Sequence, residues 1–328
     1  MPRALREPTF LASILAAALL PFVLPSLAMA TEALIFVIAT LGCTLLLGYV
    51  GLLSFGQAIF FGVGAYVCGL ALLHLGVGTL AALCLTVVGS MAVGLFVGVL
   101  ATQKRGIYLV MLTLALSQMF YFLAYAMADV TGGDNGLLNI PRPALTFGGV
   151  TLLALQTPLS FYLFVALVFL AVYLFLLLLA ASPFGSTLIA IRENEDRATA
   201  LGYNVRLFKV AAFVASAAVT GIAGGLYALF LNFAPLGNID VSMSERIIIM
   251  TILGGTGSLF GGVLGATFFV VLGNLLSAIW PRWLLVIGLL LMLVASYLRG
   301  GLLSGLEWVL DRASARRLLF PTGADDAR

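Results

Sequence analysis

The chain has 328 residues, of which 62% are hydrophobic and only 9% are charged, and its formal net charge is +3. Soluble domains carry about 25% charged residues, so this composition excludes a water-soluble domain of appreciable size. It predicts an all-α polytopic membrane protein, with residues 1–310 as a single transmembrane domain and 311–328 as a tail.

Eight apolar segments follow one another and are predicted to cross the membrane as helices. The first resembles a signal peptide, because Arg3 and Arg6 precede it, but it is too long and contains Pro21 and Pro25. We interpret it as a retained span. The predicted spans are residues 10–28, 32–52, 55–75, 79–101, 106–128, 161–181, 210–231 and 283–298.

A glycine-rich patch, GYVGLLSFGQAIFFGVGAY, occupies residues 48–66. Glycine in a helix interior costs about 1 kcal/mol relative to alanine, so this patch predicts a break, and broken backbone at membrane depth can line a water-filled cavity. Taken one at a time, the polar side chains fit hydrogen bonding between helices better than substrate contact. The candidates for a translocation path here are Gly51, Ser54, Gly56 and Gln57, with Gln118 from a later span.

Residues 182–207 form a charged loop between two predicted spans. Ser182 and Pro183 suit a helix start, and Gly202 suits a helix end. An apolar stripe (Leu188, Ile191, Ala198, Leu201) and the i,i+4 pairs Arg192–Asp196 and Glu193–Arg197 predict one amphipathic helix over 188–202. We expect it to dock a soluble partner, and a linker lying on membrane lipid is the alternative. The candidate docking residues are Arg192, Glu193, Asn194, Glu195, Asp196, Arg197, Ala198 and Gly202.

A second glycine-rich patch, LGGTGSLFGGVLG, lies in the middle of residues 245–280. It favours a re-entrant pair of helices that enters from outside and turns near residues 254–258. Close helix packing through small residues and a full crossing stay open as alternatives. The path candidates here are Gly254, Gly255, Gly257 and Ser258.

The basic residues predict the orientation, because cytoplasmic loops are enriched in Lys and Arg. With the re-entrant pair, a cytoplasmic N-terminus leaves only Arg142, Arg246 and Arg282 outside among 16 Lys and Arg residues. We therefore expect both termini and the 182–207 loop in the cytoplasm and the 129–158 segment outside.

Several functions lack the residues they would need. No ionisable residue is predicted firmly inside a span, where proton- and ion-coupled transporters commonly keep one. Neither Lys104 nor Lys209 belongs to a phosphate-binding loop, so no ATPase site is expected. The three cysteines lie in predicted spans, as core residues do. There is no metal-ligand cluster, catalytic triad or nucleic-acid patch, so we expect no enzyme activity, no cofactor and no nucleic-acid partner.

Four ordered motifs resemble the membrane permease of branched-chain amino acid ABC importers, of the LivM type. They are the 48–66 patch, TGGDNGL (131–137), SPFG…LIAIRENEDRATALGYN (182–204) and LGGTGSLFGGVLGA (253–266). The docking loop resembles the family's E-A-A-x-x-x-G frame over residues 196–202. Arg197 replaces the middle alanine of the frame, and Ser186 stands where a basic residue is expected.

This resemblance implies a location in a bacterial inner membrane. It also implies a second homologous permease subunit, two cytoplasmic ATPase subunits and a periplasmic substrate-binding protein. Asp134 and Arg142 could contact that binding protein, or be simple solvated turn residues. Related permeases serve urea, short amides or aromatic acids, so these solutes remain alternatives. A passive channel for small neutral solutes would share the glycine-rich breaks but would not need a charged docking helix, and a membrane scaffold would not need polar residues within its spans.

Overall fold

The apolar segments of the sequence fold into a bundle of α-helices. The computed structural model describes residues 8–147, 150–153, 155–297 and 301–302. The predicted tail at 311–328 and the basic residues Arg3 and Arg6 lie outside the described residues. The helices are α1 (Pro8–Val23), α2 (Leu27–Thr44), α3 (Gln57–His74), α4 (Thr79–Ala101), α5 (Ile107–Ala126), α6 (Ala128–Thr131), α7 (Pro158–Ala180), α8 (Pro183–Glu193), α9 (Glu195–Ala200), α10 (Val205–Leu231), α11 (Val241–Gly254), α12 (Leu259–Ile279) and α13 (Trp283–Tyr297).

Seven helical segments in the described part of the chain are long and apolar enough to cross a membrane, which confirms the polytopic all-α prediction. They are α2 with the π-helical segment Leu45–Val50 that extends it, α3, α4, α5, α7, α10 and α12. Six of them match predicted spans. The predicted first and last spans correspond to α1 and α13, whose apolar parts (Leu11–Phe22 and Trp283–Leu293) are shorter than the roughly 20 residues of a full crossing.

The predicted break in the 245–280 segment is confirmed at residues 255–258, between α11 and α12. However, α12 has 21 residues and a mean hydropathy of 2.0, so it is long enough to span. The re-entrant description therefore fits at most α11, with its 14 residues. Close packing also occurs, because a Cβ atom on Gly254 would overlap the carbonyl oxygen of Gly261.

The core of the bundle forms around α10, which packs against α2, α3 and α4. Glycines allow these helices to approach closely: a Cβ atom on Gly64 or Gly224 would overlap a carbonyl oxygen of the neighbouring helix. Near this contact, the rings of Phe36, Phe61 and Tyr227 form an aromatic cluster with centroids 5.5–6.0 Å apart. The centre of the molecule is therefore tightly packed rather than open.

The segment between α5 and α7 contains an antiparallel pair of short strands, β1 (Leu145–Phe147) and β2 (Val150–Leu153), which the sequence did not predict. The segment is attached to the loop after α10, because the backbones of Leu137 and Ala234 exchange hydrogen bonds of 3.0 and 2.9 Å.

Candidate functional site

The charged segment begins as the sequence predicts. Ser182 caps α8 by accepting a hydrogen bond from the backbone N–H of Gly185, and Pro183 is the first helical residue. Three residues of the predicted apolar stripe are buried, since Leu188, Ile191 and Ala198 have 0%, 3% and 4% of their surface exposed. The fourth, Leu201, is 73% exposed. The first three therefore attach the segment to the bundle.

The prediction of one continuous helix over residues 188–202 is wrong, because the chain breaks at Asn194. Its backbone is extended (φ −158°, ψ 100°), and its Oδ1 accepts a hydrogen bond of 2.8 Å from the backbone N–H of Arg197. Asn194 thus ends α8 and caps α9. The break also separates the predicted i,i+4 partners, and Arg192–Asp196 and Glu193–Arg197 are not among the ion pairs in the described part of the chain.

Gly202 ends the segment with φ at +89°, a left-handed conformation that favours glycine. Its N–H donates to the carbonyl of Thr199, and the N–H of Tyr203 donates to that of Ala198. These bonds close the last turn of α9 and direct the chain toward α10.

Glu195 lies between two cations from other elements. Its carboxylate is 2.7 Å from the Nζ of Lys209 on α10 and 3.2 Å from the guanidinium of Arg105, which follows α4. Arg105 also contacts Asp196 at 3.2 Å. The side chain of Lys209 is only 5% exposed and that of Glu195 24%, whereas that of Asp196 is 88% exposed. Glu195 therefore attaches α9 to the membrane helices, and its carboxylate is not free for a partner.

Arg192 makes a second attachment. Its guanidinium donates a hydrogen bond to the carbonyl of Gly48 in the π-helical segment. A Cβ atom on Gly51, where φ is +76°, would lie 2.7 Å from the Cγ of Arg192. The structure therefore places Gly51, a predicted path residue, at the joint between α2 and α8.

The two glycine-rich breaks meet at this same end of the bundle, because a Cβ atom on Gly48 would overlap the carbonyl oxygen of Thr256. Gly254, Gly255 and Gly257 form the turn of the α11–α12 hairpin or border it. The serines of the two breaks serve the local backbone: Ser54 accepts from the N–H of Gly56, and Ser258 caps α12 by accepting from the N–H of Gly261, both at 3.1 Å. The predicted path residues thus contribute to a structured joint beside α8.

Gln57 connects helices instead of facing an opening. It is fully buried, its Nε2 donates to the hydroxyl of Ser216 at 3.2 Å, and its Oε1 accepts from the hydroxyl of Thr220 at 2.8 Å. Both partners are on α10, so Gln57 holds α3 against the central helix. Gln118 is half-buried on α5 and takes no part in these contacts.

Arg142, a candidate for contact with a binding protein, is engaged within the chain. Its guanidinium donates hydrogen bonds to the carbonyls of Leu229 and Phe230 near the end of α10, and it lies 4.8 Å from the ring centroid of Phe161. Cations near a helix C-terminus satisfy its free carbonyls. Asp134 in the same outer segment is exposed.

The charged residues Glu32 and Lys209 lie within apolar helices, where the sequence analysis predicted none. The span of α2 begins at Leu27, five residues before the predicted start, which places Glu32 inside it. The span of α10 likewise begins before its predicted start and includes Lys209. Glu32 lines a cavity of about 120 Å³ with Arg246 of α11 and Asn274 of α12. One indication of these charges was present in the sequence, which is that each lies at or next to the start of a predicted span.

A polar groove of about 710 Å³ opens beside α9, lined by Arg105, Glu195, Tyr203 and Lys209 among others. In the described part of the chain, no group of three or more His, Cys, Asp or Glu residues is placed to hold a metal ion. The candidate site consists of exposed side chains on the α8–α9 segment, which is firmly attached to the bundle. This geometry is suited to binding a partner.

An apolar helical bundle with a charged segment fixed at one end is the arrangement of a multi-pass membrane protein that can bind a partner at that end. A model of the branched-chain amino acid transport system permease component matches residues 26–296, so the chain belongs to this family of permeases.

Individual relatives agree with this assignment. The chain is 31% identical over 297 residues to the high-affinity branched-chain amino acid transport system permease protein LivM of Salmonella typhimurium, covering 85% of this chain and 70% of that protein. It is 25% identical over 317 residues to the probable LivM of Methanocaldococcus jannaschii (82% and 90% covered). It is 28% identical over 153 residues to the autoinducer 2 import system permease protein LsrC of Escherichia coli O157:H7 (44% of each covered). No solved structure matches the chain significantly.

Proposed function

We propose that this chain is the permease subunit of an ABC importer and forms half of a translocation path for branched-chain amino acids. Relatives that match 85% and 82% of the chain carry that substrate in their names. The importer comprises a second homologous permease subunit, two cytoplasmic ATPase subunits and a periplasmic binding protein that delivers the substrate. Urea, short amides or aromatic acids are the alternative cargoes of the same class.

The observation that carries the proposal is the exposed surface of the α8–α9 segment. Glu193, Arg197, Leu201 and Tyr203 are exposed on it. Its base is fixed by Glu195 and by the buried stripe. A linker resting on lipid needs neither a capped break nor attachment to separate helices. A small, rigid, charged projection with an exposed leucine suits a cleft on a soluble ATPase.

ATP hydrolysis is assigned to the partner subunits, since neither lysine of the chain belongs to a phosphate-binding loop. Force from the ATPase would pass through α8 to the ends of α2 and α12, because Arg192 binds Gly48 and Gly48 contacts Thr256. This route supports a mechanical role for the joint formed by the two glycine-rich breaks.

The surfaces of α4, α5 and α7 suit membrane lipid or the second permease. In the most apolar 18-residue stretch of each helix, only 33%, 28% and 33%, respectively, is buried within the chain. An apolar groove of about 860 Å³ also runs between α4, α7 and α10. We place both termini and the α8–α9 segment in the cytoplasm, as the basic residues favour.

The test is co-purification of the ATPase with a permease carrying Glu193→Lys and Arg197→Glu. We expect the retained ATPase to fall at least about tenfold, because reversing charges at a complementary surface introduces like-charge repulsion. Arg282→Glu at the exposed turn before α13 is the control and should retain the ATPase. Full retention, with normal substrate-stimulated hydrolysis in the double reversal, would show that this face does not dock.

A further inference from the structure

A small cavity lies between α2, α11, α12 and the start of α13, away from the α8–α9 segment. Its charged lining residues are Glu32 and Arg246, with Asn274 beside them. Gly48, in the π-helical segment that extends α2, contacts α8 and follows Glu32 by 16 residues. This separation corresponds to roughly 24 Å along a helix. The cavity therefore belongs to the opposite end of the bundle, where a solute from a periplasmic binding protein would arrive.

The two charges of this cavity are held apart. None of the three ion pairs in the described residues includes Glu32 or Arg246, although both line the same cavity. The amide nitrogen of Asn274 is 3.5 Å from the Glu32 carboxylate and 3.1 Å from the carbonyl of Val270. Charges among membrane helices are normally paired with each other or with backbone carbonyls. A separated guanidinium and carboxylate indicate a ligand that carries both signs.

The remaining walls are largely apolar, formed mainly by Phe36, Met250, Phe269 and Trp283. The cavity volume of about 120 Å³ is well above the roughly 10–15 Å³ that a single water molecule requires. It can hold an ammonium, a carboxylate and the carbon between them, with a side chain resting on the apolar wall. A simple anion would face Glu32, and a simple cation would face Arg246, so neither fits as well as a zwitterion.

We propose that this cavity is a transient subsite for the zwitterionic head of an α-amino acid with an apolar side chain. The carboxylate accepts hydrogen bonds from Arg246, the ammonium donates to Glu32, and the side chain contacts Phe36 and Trp283. The inference rests on the proposed function and adds the place in this subunit where the amino acid is held after release from the binding protein.

The first test uses the whole importer in liposomes of phosphatidylglycerol, whose headgroup carries no ammonium. Arg246→Gln and Glu32→Gln should each lower the initial rate of labelled leucine uptake about tenfold or more, the loss expected when one charged hydrogen-bond partner is removed. ATP hydrolysis stimulated by the binding protein should persist in both. Arg282→Gln and Glu245→Gln, which change exposed charges, should leave uptake unchanged.

A second test measures binding without transport and leaves the cavity intact. With Trp280→Phe and Trp308→Phe, Trp283 becomes the sole tryptophan of this chain. Its fluorescence reports on the cavity wall in a purified permease pair whose second subunit has its tryptophans replaced by phenylalanine. L-leucine should change the signal, whereas leucinamide (without the carboxylate) and 4-methylpentanoate (without the ammonium) should not. Equal responses to all three compounds, or none to leucine, would overturn the proposal, as would a signal that requires added phosphatidylethanolamine.

The two proposals fail in different ways. An importer that takes up leucine equally well with and without Arg246→Gln and Glu32→Gln overturns the subsite alone. A wild-type importer that takes up no branched-chain amino acid overturns the proposed cargo, and the Trp283 titration with other amino acids then decides the subsite by itself. If the glutamine variants do not assemble, the titration still tests the subsite.

Discussion

At the residue scale, the contact between Glu195 and Lys209 determines how the α8–α9 segment is held. Lys209 is nearly buried at the start of α10, and its Nζ is 2.7 Å from the Glu195 carboxylate. Removing one partner of such a pair leaves the other charge unpaired in a poorly solvated place, which costs more than the pair itself contributes. Asp196 is the neighbouring acid, but its pairing with Arg105 is almost fully exposed and contributes little.

We therefore predict opposite outcomes for two neighbouring acids. Glu195→Gln should destabilise the permease by about 1–3 kcal/mol, the cost of losing a hydrogen bond to a charged group, while Asp196→Asn should change stability by less than about 1 kcal/mol. Thermal unfolding in detergent measures both. Lys209→Met combined with Glu195→Gln should recover part of the loss, since no unpaired charge remains. Equal effects of the two single variants would contradict the anchoring role of Glu195.

At the element scale, α8 and α9 show what the sequence could and could not predict. The capped start, the buried stripe and the glycine terminator are local signals, and they were predicted. The break at Asn194 also had a local signal, because asparagine is a favoured N-cap, but the i,i+4 charge pattern favoured a continuous helix. The contacts of Glu195 with Arg105 and of Arg192 with Gly48 join residues far apart in sequence, so no periodicity could reveal them.

The α11–α12 hairpin supplies the prediction at this scale. Gly254→Ala should disturb the hairpin, because its Cβ atom would overlap the carbonyl oxygen of Gly261, whereas Gly257→Ala has open space around it. We expect a loss of about 1–3 kcal/mol for the first variant, as for overpacked cores, and little change for the second. Thermal unfolding with a check of co-purifying ATPase distinguishes them. A destabilisation of equal size at both positions would mean that backbone freedom, not packing, selects glycine here.

At the scale of the whole molecule, the two ends of the bundle have different chemistry. One end carries the α8–α9 segment and both glycine-rich breaks; the other carries the Glu32–Arg246 cavity. The composition and the apolar runs predicted the spans well, because burial in lipid imposes length and hydrophobicity on each helix. The cavity was not predicted, because Glu32, Arg246 and Asn274 come from three separate helices and lie far apart in the sequence.

The proposed orientation of these ends rests on the distribution of basic residues, and it can be measured directly. In a background without Cys43, Cys68 and Cys84, a cysteine at the exposed position Thr199 should react with an impermeant thiol reagent only after the cells are permeabilised. A cysteine at Asp134, exposed in the segment between α5 and α7, should react in intact cells. Labelling of the cysteine at position 199 from outside would reverse the proposed topology.

We propose that this permease moves amino acids only when partner subunits supply ATP hydrolysis and substrate. The most direct measurement is uptake of labelled leucine into proteoliposomes containing this chain, its partner permease, the ATPases and the binding protein, with each component omitted in turn. Concentrative uptake should require every component and ATP. Uphill uptake by this chain alone, driven by a proton gradient, would contradict the claim.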